Sequence, residues 1–318
     1  MKKSELKIVF MGTPSFALPS LKMLIEEGFC VEAVFTQPDR KTGRGHKMLP
    51  PPVKTAAQDF CLPVCQFEKV RTPEGVGKLR SLSPDLLITA AYGQILTQEI
   101  LDIPKLGCIN VHASLLPKYR GAAPVQWAII GGEKKTGVTT MMTALALDSG
   151  DMLEKDELPI PANMTAGELY GALSHLGAKT LQRTLDKLLN GTLVKTPQKE
   201  EEATYFPMFK KGFGQIDFNQ DCARIRDFVR GTNPQPGAFV LFDCHKIKVF
   251  QVECGPACEN AQPGEVLSAD LKSGLVIAAK GGTVTLRELQ WPGKSKTTDR
   301  EFLCGRSVPV GFIFGSRT

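Results

Sequence analysis

The feature that most constrains this chain is the alternation, through its first half, of short apolar runs with helical patterns. Residues 6–11, 31–35, 86–91, 108–112 and 138–142 are rich in Val, Ile, Leu and Phe and read as buried strands. After the first, Phe16, Leu18, Leu21, Leu24 and Ile25 recur at helical spacing until Gly28 ends the helix. Strands separated by helices are joined by crossovers rather than tight hairpins, and crossovers are right-handed. The expectation is an α/β fold with a Rossmann-like parallel sheet and helices on both faces. A long helix is expected over 165–189, with Ala166, Leu169, Leu173, Leu176, Leu181, Leu185 and Leu188 on its buried stripe and Asn190-Gly191 as its stop.

Beyond that helix the pattern changes. Residues 191–207 hold Pro197, Lys199 and Glu200-Glu201-Glu202 with little apolar content, and read as a linker. Further on, one helix is expected over 223–230. Short β segments follow at 238–242, 246–252, 264–269, 275–279 and 283–289, separated by Gly and Pro turns. They predict a small OB-like β-barrel. The expected organisation is a catalytic domain over 1–190, a linker over 191–207 and a β-barrel domain over 208–318.

Composition narrows the class. At 318 residues and 42% hydrophobic content, two domains with real cores are expected. There is no run of about 18 apolar residues, so no membrane span is expected. The 6–11 run is too short for a secretory signal, and a cytoplasmic location is expected. Nine cysteines at irregular positions, without a His cluster, read as reduced thiols and not as a metal site. The net charge is +6, and from Met208 onward 15 Lys plus Arg stand against 11 Asp plus Glu, which suits a polyanionic partner.

The candidate chemistry sits in one stretch. Asn110 and His112 are two apart on a strand and so share a face, at the carboxyl end where open α/β sheets bind ligands. Ser114-Leu115-Leu116-Pro117 follows at once, and Asp148 stands in the turn after the next strand. Acyl transfer to an amine needs a donor at the developing oxyanion and groups that move the amine's proton. Asn110 and His112 are expected on the oxyanion, with Asp148 orienting the imidazole and acting as base. Ser114 lacks a Gly-x-Ser-x-Gly elbow, which weakens a serine-hydrolase reading. Gly12-Thr13-Pro14-Ser15 lacks the three-glycine dinucleotide spacing and reads as a tight strand-to-helix turn, either touching a ligand through its amides or purely structural, with no catalytic role. In a Gly-rich loop, Arg40, Lys41, Arg44 and Lys47 set against Asp39 suit phosphate contacts.

Asn-x-His, Ser-Leu-Leu-Pro and the later Asp148 resemble the folate-dependent formyltransferases. The Gln37-Pro-Asp-Arg40 and Gly43-Arg-Gly45 loop, with Asn233-Pro-Gln-Pro-Gly237, extends the resemblance over nearly the whole chain, toward members that act on tRNA. It implies a formyltransferase-type fold and formyl transfer from 10-formyltetrahydrofolate to the amino group of methionyl-initiator-tRNA, for translation initiation. It implies no metal, and we expect a monomer. By the same resemblance the folate lies along Ser114, Leu115, Leu116 and Pro117, bordered by Tyr92 and Gly93. The basic loop then meets the tRNA acceptor end, with Arg44 foremost beside Arg40, Lys41 and Lys47, and the second domain binds tRNA. Two departures are visible. Ser149 stands where Thr is more usual, and 205–217 lacks charges that often flank the lysines there. A sugar-nucleotide N-formyltransferase and a 10-formyltetrahydrofolate hydrolase would share the catalytic trio. A non-catalytic RNA-binding protein is the rival of a different class.

Overall fold

The computed structural model describes residues 2–42, 47–258 and 260–315. Arg44 therefore lies outside the described residues. The chain divides into two compact units. The first comprises Met1–Pro124, Lys135–Pro159 and Tyr170–Phe206, and the second Val125–Lys134, Ile160–Leu169 and Pro207–Thr318.

In chain order the strands of the first unit are β1 (Lys7–Gly12), β2 (Cys30–Thr36), the hairpin β3 (Arg40–Thr42) and β4 (Lys47–Leu49), and β5 (Val64–Gln66). Then come β6 (Leu86–Ala90), β7 (Cys108–His112), β8 (Arg120–Gly121), β9 (Lys135–Met142), β10 (Met152–Pro159) and β11 (Tyr205–Phe206). Its helices are α1 (Leu18–Glu26), α2 (Pro52–Asp59), α3 (Pro73–Leu82) and α4 (Gln98–Leu101). Two more, α5 (Pro124–Ile130) and α6 (Ala166–Leu189), run across the division between the units.

Seven strands form one sheet in the order β10-β9-β7-β6-β1-β2-β5. The period-2 alternation of side chains decides what each face buries. Val9, Met11, Leu87 and Cys108 pack with Val76 and Leu79 of α3 and Ile100 of α4. On the opposite face Gly177 of α6 lies so near Val111 that a Cβ there would stand 2.9 Å from its Cγ1. Helices thus cover both faces, as expected.

The sheet is mostly parallel, as expected, with two strands reversed at one edge. The pairs among β5, β2, β1, β6 and β7 are parallel, but β9 runs antiparallel to β7, and β10 antiparallel to β9. A parallel neighbour for β7 would need a crossover returning the chain to the far end of the sheet. Residues 113–134 instead go into the Ser-Leu-Leu-Pro turn, β8 and α5, and the chain re-enters with Thr139 opposite His112. β10 itself carries Glu154-Lys155-Asp156-Glu157, an edge strand whose charges hide it from a hydrophobic reading.

Gly137 in β9 is required by close approach. A Cβ there would stand 2.0 Å from the Asp156 carbonyl oxygen and 2.5 Å from Leu115 Cδ2. Gly137→Ala is expected to destabilise the first unit by about 1–3 kcal/mol, the usual cost of overpacking. A urea-unfolding midpoint unchanged from the parent would contradict that.

The second unit holds α7 (Cys222–Thr232), β12 (Ala238–Phe242), β13 (His245–Gly255), β14 (Val266–Asp270), β15 (Gly274–Ala279), β16 (Gly282–Gln290), β17 (Lys296–Thr298) and α8 (Asp299–Cys304). The antiparallel order is β12-β13-β16-β15-β14, with β17 on β16. Its core is built from Val240, Ile247, Val249, Ile277, Val284 and Leu286 with Ile225 and Val229 of α7. The order runs from β12 to β14, and the unit is β-rich as expected. Cys222 and Cys254 form a disulfide, which corrects the reading of all nine thiols as reduced. The two are 32 residues apart, and only the packing of α7 on β13 brings them together. No helix among the described residues is long and apolar enough to cross a membrane.

Candidate functional site

Asn110 and His112 lie on the same face of β7, at its carboxyl end, as their spacing requires. Thr89 is paired with Asn110 across β6 and β7, and its hydroxyl donates to Asn110 Oδ1 at 2.8 Å. No partner of the Asn110 NH2 group is found among the described residues, which leaves that group available as a donor.

His112 is 6% exposed. Its Nε2 lies 3.0 Å from the Tyr119 carbonyl oxygen, and a carbonyl only accepts, so Nε2 carries hydrogen. Nδ1 is then the nitrogen left for proton exchange, and it faces Asp148 Oδ1 at 3.7 Å. That distance exceeds a direct hydrogen bond but is a close charge contact for an imidazolium. The other carboxylate oxygen of Asp148 accepts from the Gly121 backbone N–H at 2.8 Å. Asp148 holds a left-handed φ of 49°, a conformation that non-glycine residues adopt only where the surroundings impose it. The three side chains expected to act together are thus gathered at one rim of the sheet.

Burial pushes the Cys108 thiol, on the same face, up to about 11, so it is no nucleophile near neutral pH. Among the described residues no group of His, Cys, Asp and Glu is arranged to hold a metal ion.

The Ser-Leu-Leu-Pro segment is braced from below. The Thr139 hydroxyl donates to the Ser114 carbonyl at 2.7 Å and accepts from the Leu116 N–H at 3.1 Å. The Ser114 hydroxyl is fully buried and donates to the Lys118 carbonyl at 2.7 Å, so it closes the turn and is spent there. Leu116 packs with Met141 and Met152, and the Lys155 ammonium donates to its carbonyl. Desolvation lowers the Lys155 pKa from its ordinary value. Pro117 is buried after a cis peptide bond. Leu115 is the one half-buried side chain of the four.

Tyr92 turns its side chain inward. Its ring is 4% exposed and sits in the core with Val9, Met11 and Leu87. What reaches the rim is backbone: the Tyr92 carbonyl accepts from the Thr13 hydroxyl at 2.9 Å, and Gln37 Nε2 donates to the Gly93 carbonyl at 3.0 Å.

The basic loop is in part the β3–β4 hairpin, with Arg40 opposite Leu49 and Lys41 opposite Met48. Arg40 pairs with Glu68 at 2.6 Å, both side chains exposed. Asp39 is held by Gln66 and Lys54, whose hydrogen bonds lower its pKa.

Several residues around the site gave no signal in the sequence. Thr89, Gly121 and Thr139 act through hydrogen bonds to residues distant in the chain, which no local pattern reveals. Arg120, the residue before Gly121, is wholly buried, and its guanidinium meets the Glu200 carboxylate at 2.8 and 3.0 Å and the Tyr205 hydroxyl. Gln198 bridges Arg120 to the backbone of the Asp148 turn. These partners lie in the expected linker, which pairs with β8 through β11 and is part of the first unit up to Phe206.

Set beside known proteins, residues 6–185 match the family described as formyl transferase, and residues 208–307 its C-terminal domain. The chain is 49% identical over 313 residues to a methionyl-tRNA formyltransferase of Ruminiclostridium cellulolyticum, covering 98% of this chain and 100% of that one. Among solved structures it resembles WlaRD, a sugar 3N-formyl transferase determined in the presence of dTDP and 5-N-formyl-THF. There the TM-score is 0.63 at 19% identity, over 91% of this chain and 99% of that one. HypX from Aquifex aeolicus, in complex with tetrahydrofolic acid, gives a TM-score of 0.64 at 19% identity. The match covers 94% of this chain but 47% of HypX, so the chain spans about half of that protein.

Proposed function

The chain belongs to the formyl transferase family, and on that premise we propose that it formylates the free amino group of methionyl-initiator-tRNA with 10-formyltetrahydrofolate as donor. The observation that carries this reading is the end-to-end likeness to a methionyl-tRNA formyltransferase. The gathering of Asn110, His112 and Asp148 at one rim supports it.

In the proposed mechanism the amine lone pair attacks the formyl carbon and a C–N bond forms. The Asn110 NH2 group and a protonated His112 Nδ1 stabilise the oxyanion, in an interior where such donors count for more than in water. Asp148 balances the imidazolium and accepts the proton that the amine sheds. Collapse breaks the bond to the carrier nitrogen, which gains one proton as the amine loses one. The Leu115 side chain and the backbone of Ser114, Leu116, Pro117 and Gly93 would line the folate. Tyr92 would contribute shape and not its hydroxyl. Arg40, Lys41, Arg44 and Lys47 would meet tRNA phosphates, and the β-rich unit would supply further tRNA contacts. The chain would act as a cytoplasmic monomer.

The test is direct. Purified protein with 10-formyltetrahydrofolate should convert charged initiator tRNA to its N-formyl form, read by gel mobility. Formyl transfer to a nucleotide amino sugar alone would favour the sugar N-formyltransferase reading. Release of formate without tRNA would favour the hydrolase. Salt-sensitive tRNA binding with no turnover would leave only the binding protein.

A further inference from the structure

Asp148 is held in its left-handed turn from outside the turn, and the holding groups come from 50 residues further along the chain. Gln198 Nε2 donates to the Asp148 carbonyl and to the Gly150 carbonyl, both at 2.8 Å. Its Oε1 accepts from Arg120 Nε at 3.0 Å. Arg120 is fixed in turn by the two Glu200 oxygens and the Tyr205 hydroxyl, and its backbone N–H donates to the Thr204 carbonyl at 2.8 Å. The next N–H, that of Gly121, holds the Asp148 carboxylate itself.

Asp148 is therefore gripped twice, by the main chain of Gly121 in β8, which pairs with β11, and by the side chain of Gln198. The turn itself is closely packed: a Cβ on Gly150 would stand 1.8 Å from the Met142 carbonyl oxygen. The hydrogen bonds also run in one sense. A buried guanidinium donating to the Gln198 oxygen polarises that amide and strengthens both of its N–H donors.

We infer that residues 198–206 are a strap whose function is to set the position of Asp148, with Gln198 as the positioning residue. The inference rests on the reading that Asp148 takes part in the chemistry. Gln198 is half-buried and touches no reacting atom on this account. It acts by keeping the carboxylate where His112 Nδ1 and the amine can use it, and a displacement of about 1 Å there costs on the order of a hundredfold in rate.

Gln198→Glu keeps the shape and the acceptor for Arg120 but removes both N–H donors. Gln198→Ala removes everything and brings in no charge. Both variants are expected to lose about 10- to 100-fold in kcat for formyl transfer, with KM for either substrate within about twofold and the thermal midpoint nearly unchanged. Hydrogen exchange in the peptide covering 143–151 should quicken in both. Asp148→Asn is measured alongside. If it lowers kcat at least a hundredfold while either Gln198 variant stays within twofold of the parent, the strap is overturned. If exchange in 143–151 is unchanged in both variants, it is overturned whatever the activity. If Asp148→Asn itself is nearly fully active, the reading of Asp148 fails first and the strap fails with it.

Discussion

Asp148→Asn is expected to lower kcat for formyl transfer on the order of a thousandfold, within the range that general acid–base groups contribute. The geometry explains why so conservative a change is so costly. With Nε2–H committed to the Tyr119 carbonyl, Nδ1 is the only ring nitrogen that can gain a proton. An Asn side chain would retain the hydrogen bond from Gly121 through its oxygen and turn its NH2 toward Nδ1. That pins the imidazole as a neutral acceptor, with no donor to offer the oxyanion and no carboxylate to take a proton. Pre-steady-state formylation of methionyl-initiator-tRNA measures the chemical step directly. A loss of less than tenfold would show that the carboxylate only shapes its turn.

Asn110→Ala should cost about 10²–10³ in kcat, or about 2.7–4 kcal/mol of transition-state stabilisation, the usual penalty for one oxyanion donor. KM should change little, since the contact tightens as charge develops on the oxygen. Asn110→Asp separates this role from packing. The Thr89 hydroxyl would still donate to one carboxylate oxygen, but the other would present negative charge where the oxyanion forms. It should therefore be slower than the alanine variant despite its closer shape. An Asn110→Asp enzyme faster than the alanine variant would mean that Asn110 does not face the formyl oxygen.

The parts of this molecule that were legible from sequence are those encoded by local periodicity. Alternation along β7 placed Asn110 and His112 on one face, and the helical stripe from Leu169 to Leu188 marked α6. Strand direction is not local: nothing in Lys135–Met142 says whether β9 runs with β7 or against it, and the course of the preceding loop decides. β10 was illegible because Glu154, Asp156 and their neighbours make an edge strand look like a surface loop. The inward turn of the Tyr92 ring is not legible either, because a residue's place in the chain does not tell which way its side chain points. Residues 191–207 were misread for a simpler reason. Their polar and charged side chains suggested solvent, yet Gln198 and Glu200 among them are the partners of a buried cation.

That cation has a practical consequence for anyone dissecting the protein. The counter-charge of Arg120 arrives 80 residues later, so a catalytic fragment ended at residue 190 would lack the Gln198, Glu200 and Tyr205 groups that cover and pair its guanidinium. The last boundary between the units falls at Phe206–Pro207, and exchanging the β-rich module with that of a relative there must also carry residues 125–134 and 160–169, which belong to the second unit.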